Sequence, residues 1–163
     1  MTFDQFITKW NGNGLDVDNF PVGQPNQCFD VFIQYNREVI GLQDYIQCKS
    51  SGLVKDIWND FDNTVLPQFY DKIDRYAKGE KGDIAIWGNC PIAPYSHITL
   101  LIEDKGTIQR VFGQNQPESY CTTKELSSTG LLGYLRPKNG NATREQVIAD
   151  YLDILERNPA GVD

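Results

Sequence analysis

The sequence predicts an α+β protein in which N-terminal helices pack on an antiparallel β-sheet. Three observations carry this. Apolar residues recur at helical spacing through the first half of the 163-residue chain. After Lys81-Gly82 the apolar period shortens to that of a β-strand. Helices and strands are segregated along the chain rather than alternating, which argues against βαβ units and a parallel sheet.

The elements follow in order. Phe3, Phe6, Ile7 and Trp10 predict a short amphipathic helix, ended by Asn11-Gly12-Asn13-Gly14. Leu15 to Gln27 reads as a loop punctuated by Pro21, Gly23 and Pro25. Asn26 is the predicted N-cap of a helix reaching Ile40, with Gly41 as its stop and Phe29, Phe32, Ile33, Asn36 and Ile40 on one face. A second helical stretch is predicted from Leu53 to Tyr76, interrupted at Pro67. Its apolar positions would be Val54, Ile57, Trp58, Phe61, Phe69, Tyr70 and Ile73. Asp83 to Trp87 reads as a strand. From Ser96 to Ile102, alternation sets Ile98, Leu100 and Ile102 on one face and His97, Thr99 and Leu101 on the other. Glu103-Asp104-Lys105-Gly106 predicts a hairpin turn, with Thr107 to Phe112 returning. Leu131 to Leu135, closed by Arg136-Pro137, is the last predicted strand. A polar linker, Lys138 to Asn141, precedes a helix capped by Thr143, with Val147, Ile148, Tyr151, Ile154 and Leu155 as its apolar stripe. The expected division is a domain over residues 1–137 and a linker plus helix over 138–163, the latter docking on the domain or starting a further module.

Composition narrows the function. The net charge of −7 disfavours nucleic acid and anionic membranes as partners, since both demand a basic surface. No apolar run is long enough to span a bilayer, and Met1 to Phe6 has neither a basic nor an apolar signal region. A monomer without organic cofactor is expected. Cys28, Cys48, Cys90 and Cys121 are widely spaced without a CxxC pair, so free thiols are expected rather than a metal site. The single histidine, His97, must carry any Cys–His or Ser–His chemistry.

Cys28 falls at the predicted start of a helix, where the dipole and unpaired N–H groups lower a thiol's pKa and favour the nucleophilic thiolate. The commoner fate of a free cysteine is a buried structural role. His97 opens a strand after Pro91-Ile92-Ala93-Pro94-Tyr95-Ser96 and could project into a groove as a general base. Asn115 follows the returning strand, beside His97 if the hairpin closes, and its amide could fix the imidazole tautomer. Trp87, Tyr95 and Trp58 are candidate groove-lining aromatics. Asp16 and Asp18, with backbone carbonyls between and after them, suit a hard oxygen-ligated cation such as Ca²⁺. A solvated acidic loop is the alternative.

Taken in order, Gln27-Cys28-Phe29-Asp30, Gly82 to Trp87, Ser96-His97-Ile98, Val111-Phe112-Gly113-Gln114-Asn115 and Gly133 to Pro137 resemble the CHAP domain, over about Phe3 to Pro137. CHAP domains are papain-like cysteine amidohydrolases and peptidases of peptidoglycan, common in bacteriophage endolysins, virion-associated lysins and bacterial autolysins. The resemblance implies Cys28 as nucleophile, His97 as base and Asn115 as the third residue. It implies Gln27, with Gln114 in the matched segment, as support for the oxyanion. The family's Glu is Gly113 here, a departure that leaves Asn115 to orient the histidine. The resemblance also implies a structural calcium ion held by Asp16, Asp18, the Phe20 carbonyl and Asp30. Asn19 stands where the family has Gly, and the loop to Cys28 is longer. The implied partner is bacterial peptidoglycan, reached from the host cytoplasm at lysis or from the virion. A non-enzymatic wall-binding or virion structural module on the same scaffold is the alternative, as is another papain-like amide chemistry.

Overall fold

The computed structural model describes residues 1–17 and 26–138; the expected cation ligands Asp18 and Phe20 and the tail helix lie outside the described residues. Helix α1 spans Phe3–Trp10, and Thr2 caps it reciprocally with Gln5. Helix α2 spans Cys28–Tyr35 and runs into a π-helical turn, Asn36–Ile40, which Gly41 ends in the left-handed conformation at φ +86°. The predicted apolar face of this helix is buried, Asn36 included. Asn36 survives burial because its amide donates to the Phe32 carbonyl and its oxygen accepts from the Tyr70 hydroxyl at 2.7 Å.

The predicted Leu53 to Tyr76 helix is not there. In its place are a short helix α3, Asp56–Asn59, two 3₁₀ turns, Phe61–Asn63 and Leu66–Gln68, and then strand β1, Tyr70–Asp74. Only Tyr70 is buried in β1, so this edge strand shows no clean alternation and its apolar residues mimic helical spacing. Strands β2 (Ile84–Trp87), β3 (His97–Asp104), β4 (Ile108–Gly113) and β6 (Leu131–Pro137) lie where the alternation puts them. Strand β5, Thr122–Ser127, was not anticipated: it is a half-buried edge with no continuous apolar face.

The sheet is antiparallel throughout, in the order β1-β6-β2-β3-β4-β5. Phe29, Phe32 and Ile33 of α2 share one core with Ile84, Ile86, Ile98, Leu100, Phe112 and Leu135 of the sheet. The other sheet face carries a smaller cluster built on Trp87, Leu101, Val111 and Tyr134. The α+β class and the helices-on-sheet arrangement read from the sequence are therefore what the chain adopts. A bulge between Ile86 and Trp87, where β2 meets β6, lies at the end of β2 beside His97.

Candidate active site

Two local structures fix Cys28 at the first position of α2. Gln27 is extended (φ −79°, ψ 159°), and its N–H donates to Asp30 Oδ2 at 2.6 Å, so Gln27 rather than the expected Asn26 is the N-cap. Asn26, one residue earlier, is left-handed at φ 63°. The other carboxylate oxygen of buried Asp30 accepts from the Val17 N–H at 3.0 Å. Fully buried Gln114 completes the clamp. Its Nε2 donates to the carbonyls of Leu15 at 2.6 Å and Gln27 at 2.7 Å, and its Oε1 accepts from the Leu15 N–H at 2.9 Å. Both amide hydrogens of Gln114 are thus committed to backbone, so it supports the residue before Cys28 and has none to give an oxyanion.

Backbone N–H groups of Ile98 and Phe29 point at the Cys28 sulfur and favour its thiolate, yet burial outweighs them and pushes the thiol up to about 11. The lowered pKa expected from the helix terminus is corrected on this point: desolvation wins over the N–H groups. All four cysteines are free thiols.

His97 leaves a left-handed turn at Ser96, φ 65°, whose hydroxyl accepts from the Lys55 N–H at 3.2 Å. Lys55 Nζ in turn reaches Asn89 Oδ1 at 2.6 Å, and Asn89 Nδ2 donates to the Pro94 carbonyl at 2.6 Å. These bonds brace the loop before His97 against α3. The His97 ring is buried, 6.5 Å from that of Trp87 at an angle of 48°. Burial pulls the imidazole down to about 4. At neutral pH the free site therefore holds a neutral thiol and a neutral imidazole.

A cleft of about 460 Å³ brings Cys28 and His97 together with Asn115, Gln116 and the wall Ile92 to Ser96. Among the described residues its lining holds no Asp, Glu, Lys or Arg. Asn115 is exposed and left-handed at φ 62°, its N–H donating to the Glu118 carbonyl at 2.6 Å. The amide that meets His97 belongs to the next residue, with Gln116 Nε2 2.7 Å from the ring's Nε2. Sequence reasoning missed Gln116 because nothing in the spacing separates two adjacent amides on one turn. Tyr95, 79% exposed, stands on the cleft wall. Trp87 also lines the cleft, with its side chain fully buried against His97 and its Nε1–H donating to the Ser127 carbonyl at 2.9 Å; Trp58 does not line it.

The described residues do not by themselves form a cation site. Asp16 is exposed, both Asp30 oxygens face backbone N–H groups, and no cluster of His, Cys, Asp or Glu among the described residues could hold a metal ion. A larger hollow of about 640 Å³, lined by Arg75, Tyr76, Asp104, Gln109 and Tyr134 among others, contains neither cysteine nor histidine. No helix among the described residues is long and apolar enough to cross a membrane.

No protein-family model and no curated protein matches the chain. Solved structures do. The crystal structure of the wild-type endolysin LysIME-EF1 matches with a TM-score of 0.62 at 15% identity, over 95% of this chain and 84% of that one. Ly7917 matches with a TM-score of 0.57 at 18% identity, over 81% of this chain and 60% of that one. Ly7917 with the hydrolysing product of MDP matches at 0.54, with the same identity and coverage. The chain thus spans less than two thirds of Ly7917. At these identities the likeness is one of fold: this chain folds as the endolysin LysIME-EF1 and Ly7917 do.

Proposed function

We propose that the chain is a peptidoglycan hydrolase of the CHAP type that cleaves an amide bond of the bacterial cell wall through a Cys28 thioester. The observation that carries this reading is the cleft itself. It is lined by both the helix-terminal Cys28 and the molecule's single histidine, in a fold shared with an endolysin. The substrate is an amide of the wall, cut as an amidase or as an endopeptidase; the bond is set by the loop walls, Tyr95 foremost.

The chemistry follows from the neutral pair. As Cys28 Sγ attacks the carbonyl carbon, its proton passes to His97, so no free thiolate has to exist beforehand. The carbonyl oxygen becomes an oxyanion at the α2 N-terminus, with the Cys28 N–H and the Gln27 side chain as its donors in this reading. Collapse breaks the C–N bond, and the imidazolium gives its proton to the departing amine. A water deprotonated by His97 then hydrolyses the thioester, releasing a carboxylic acid and restoring the thiol. A cleft lining without charged side chains keeps both proton transfers on the same two groups.

Wall clearing in a zymogram tests the assignment. Cys28→Ala and His97→Ala should each abolish clearing while melting close to the parent chain. Lysis retained by Cys28→Ala would refute a cysteine mechanism.

A further inference from the structure

We propose that Gln116 is the positioning residue of His97, and that Gly113 is glycine because the Gln116 amide occupies the space of its side chain. The proposal rests on the reading of His97 as the base. Three independent features meet here. Gln116 Nε2 lies 2.7 Å from His97 Nε2. Gln116 Oε1 is buried without a hydrogen-bond partner. A Cβ built on Gly113 would stand 2.7 Å from Gln116 Nε2 and 3.3 Å from Thr99 Cγ2. Gly113 is not among the residues at positive φ, so room for the amide, not backbone conformation, calls for glycine there.

The proton count chooses the amide's orientation. An amide N–H donating to His97 Nε2 puts the ring proton on Nδ1, leaving neither ring nitrogen able to take a proton from Cys28. A half-turn of the amide lets Oε1 accept from Nε2–H. That rotation pairs Oε1 with Nε2–H, turns the amide N–H groups into the buried position that Oε1 leaves, and keeps Nδ1 as the basic nitrogen. When Nδ1 accepts the thiol proton, Oε1 goes on accepting from Nε2–H, and the imidazolium stays oriented. Gln116 is uncharged, so it fixes the tautomer without an ion pair. The described cleft residues bring no carboxylate or ammonium to the ring, and Cys28 and Tyr95 are the titratable groups that share its cleft. The turn that returns Gln116 to the ring is held by the Asn115 N–H on the Glu118 carbonyl and by the Glu118–Lys124 ion pair.

The single histidine makes the test direct. Imidazole ¹⁵N NMR on the full chain reports one ring, and it reads the tautomer without any activity. The proposal expects the Nε2–H tautomer at neutral pH, unchanged in Cys28→Ala. Gln116→Ala should convert it to a mixture. Gly113→Ala should do the same from a distance, by pushing the flexible amide off the ring, and the double variant should go no further than either single one. Gln116→Glu should keep the Nε2–H tautomer and move the histidine titration upward. In wall hydrolysis kcat should fall about tenfold or more in Gln116→Ala with KM held, and Gln116→Glu should restore part of it. A wild-type ring protonated at Nδ1, or a tautomer that neither Gln116→Ala nor Gly113→Ala alters, would overturn the proposal. The expected tautomer pattern in a chain that never cuts walls would instead leave the positioning intact and remove the hydrolase reading.

Discussion

At Cys28 two effects oppose each other, and their balance decides how the residue must work. A helix N-terminus stabilises a thiolate, but only through a few N–H groups at the edge of a buried site; desolvation acts on the whole charge. The thiol ends near 11 and the imidazole near 4. The rate of Cys28 alkylation by iodoacetamide should therefore climb from neutral pH toward about 11. A rate already level below neutral pH would instead reveal a preformed thiolate–imidazolium pair. Asp30 and Gln114 set the position of this thiol. Removing Gln114 by substitution with Ala strands the Leu15 and Gln27 backbone groups and should cost about 2–4 kcal/mol in denaturant unfolding; a loss within 0.5 kcal/mol, a size typical of surface changes, would mean water takes over the clamp. If the acidic loop also holds a cation, saturating CaCl₂ should raise the melting midpoint over that in EDTA; equal midpoints leave the clamp as Asp30's whole task. Cys28 and His97 were legible as residues because their order and settings are local. Gln116 was not, since its bond to His97 spans 19 positions and depends on how one turn closes.

Elements with one buried face were legible in the sequence; edges were not. α1, α2, β2, β3, β4 and β6 each bury a stripe or face that alternation or helical spacing reveals. β1 and β5 stand at the two sheet edges, where pairing is made by backbone and side chains are free to be polar. The pairing of β1 with β6 explains Gly133, which the sequence marks only as the start of a matched segment. Its missing Cβ would meet Trp58 Cη2 at 2.3 Å and the Ile73 carbonyl at 2.4 Å. Because the Ile73 oxygen belongs to the paired strand, it cannot yield as a side chain would. Gly133→Ala should therefore cost about 2–3 kcal/mol of stability with the chemistry of the cleft retained. An unchanged unfolding midpoint would show that β1 is free to move off the sheet edge.

For the whole molecule the same burial that shapes the site also shapes its response to acid. His97 titrates near 4 when folded and near 6.5 when exposed, so the unfolded chain binds a proton first as pH falls. The associated stability is complete above about 6.5 and is lost as pH drops toward 4, amounting to about 3 kcal/mol. Replacing His97 with Gln should flatten this part of the pH–stability curve; a curve that keeps its slope would place the acid response elsewhere. The net charge of −7 bears on partners too. Walls rich in anionic polymers would repel this chain, so its capture by walls should strengthen as salt screens the repulsion.

The central claim is that Cys28 cuts an amide, and mass spectrometry of digested cell walls tests it most directly. The account predicts soluble fragments ending in a new amine and a new carboxylate, released by the parent chain and not by an equally stable Cys28→Ala. New reducing sugar ends, or the same fragments from Cys28→Ala, would contradict it.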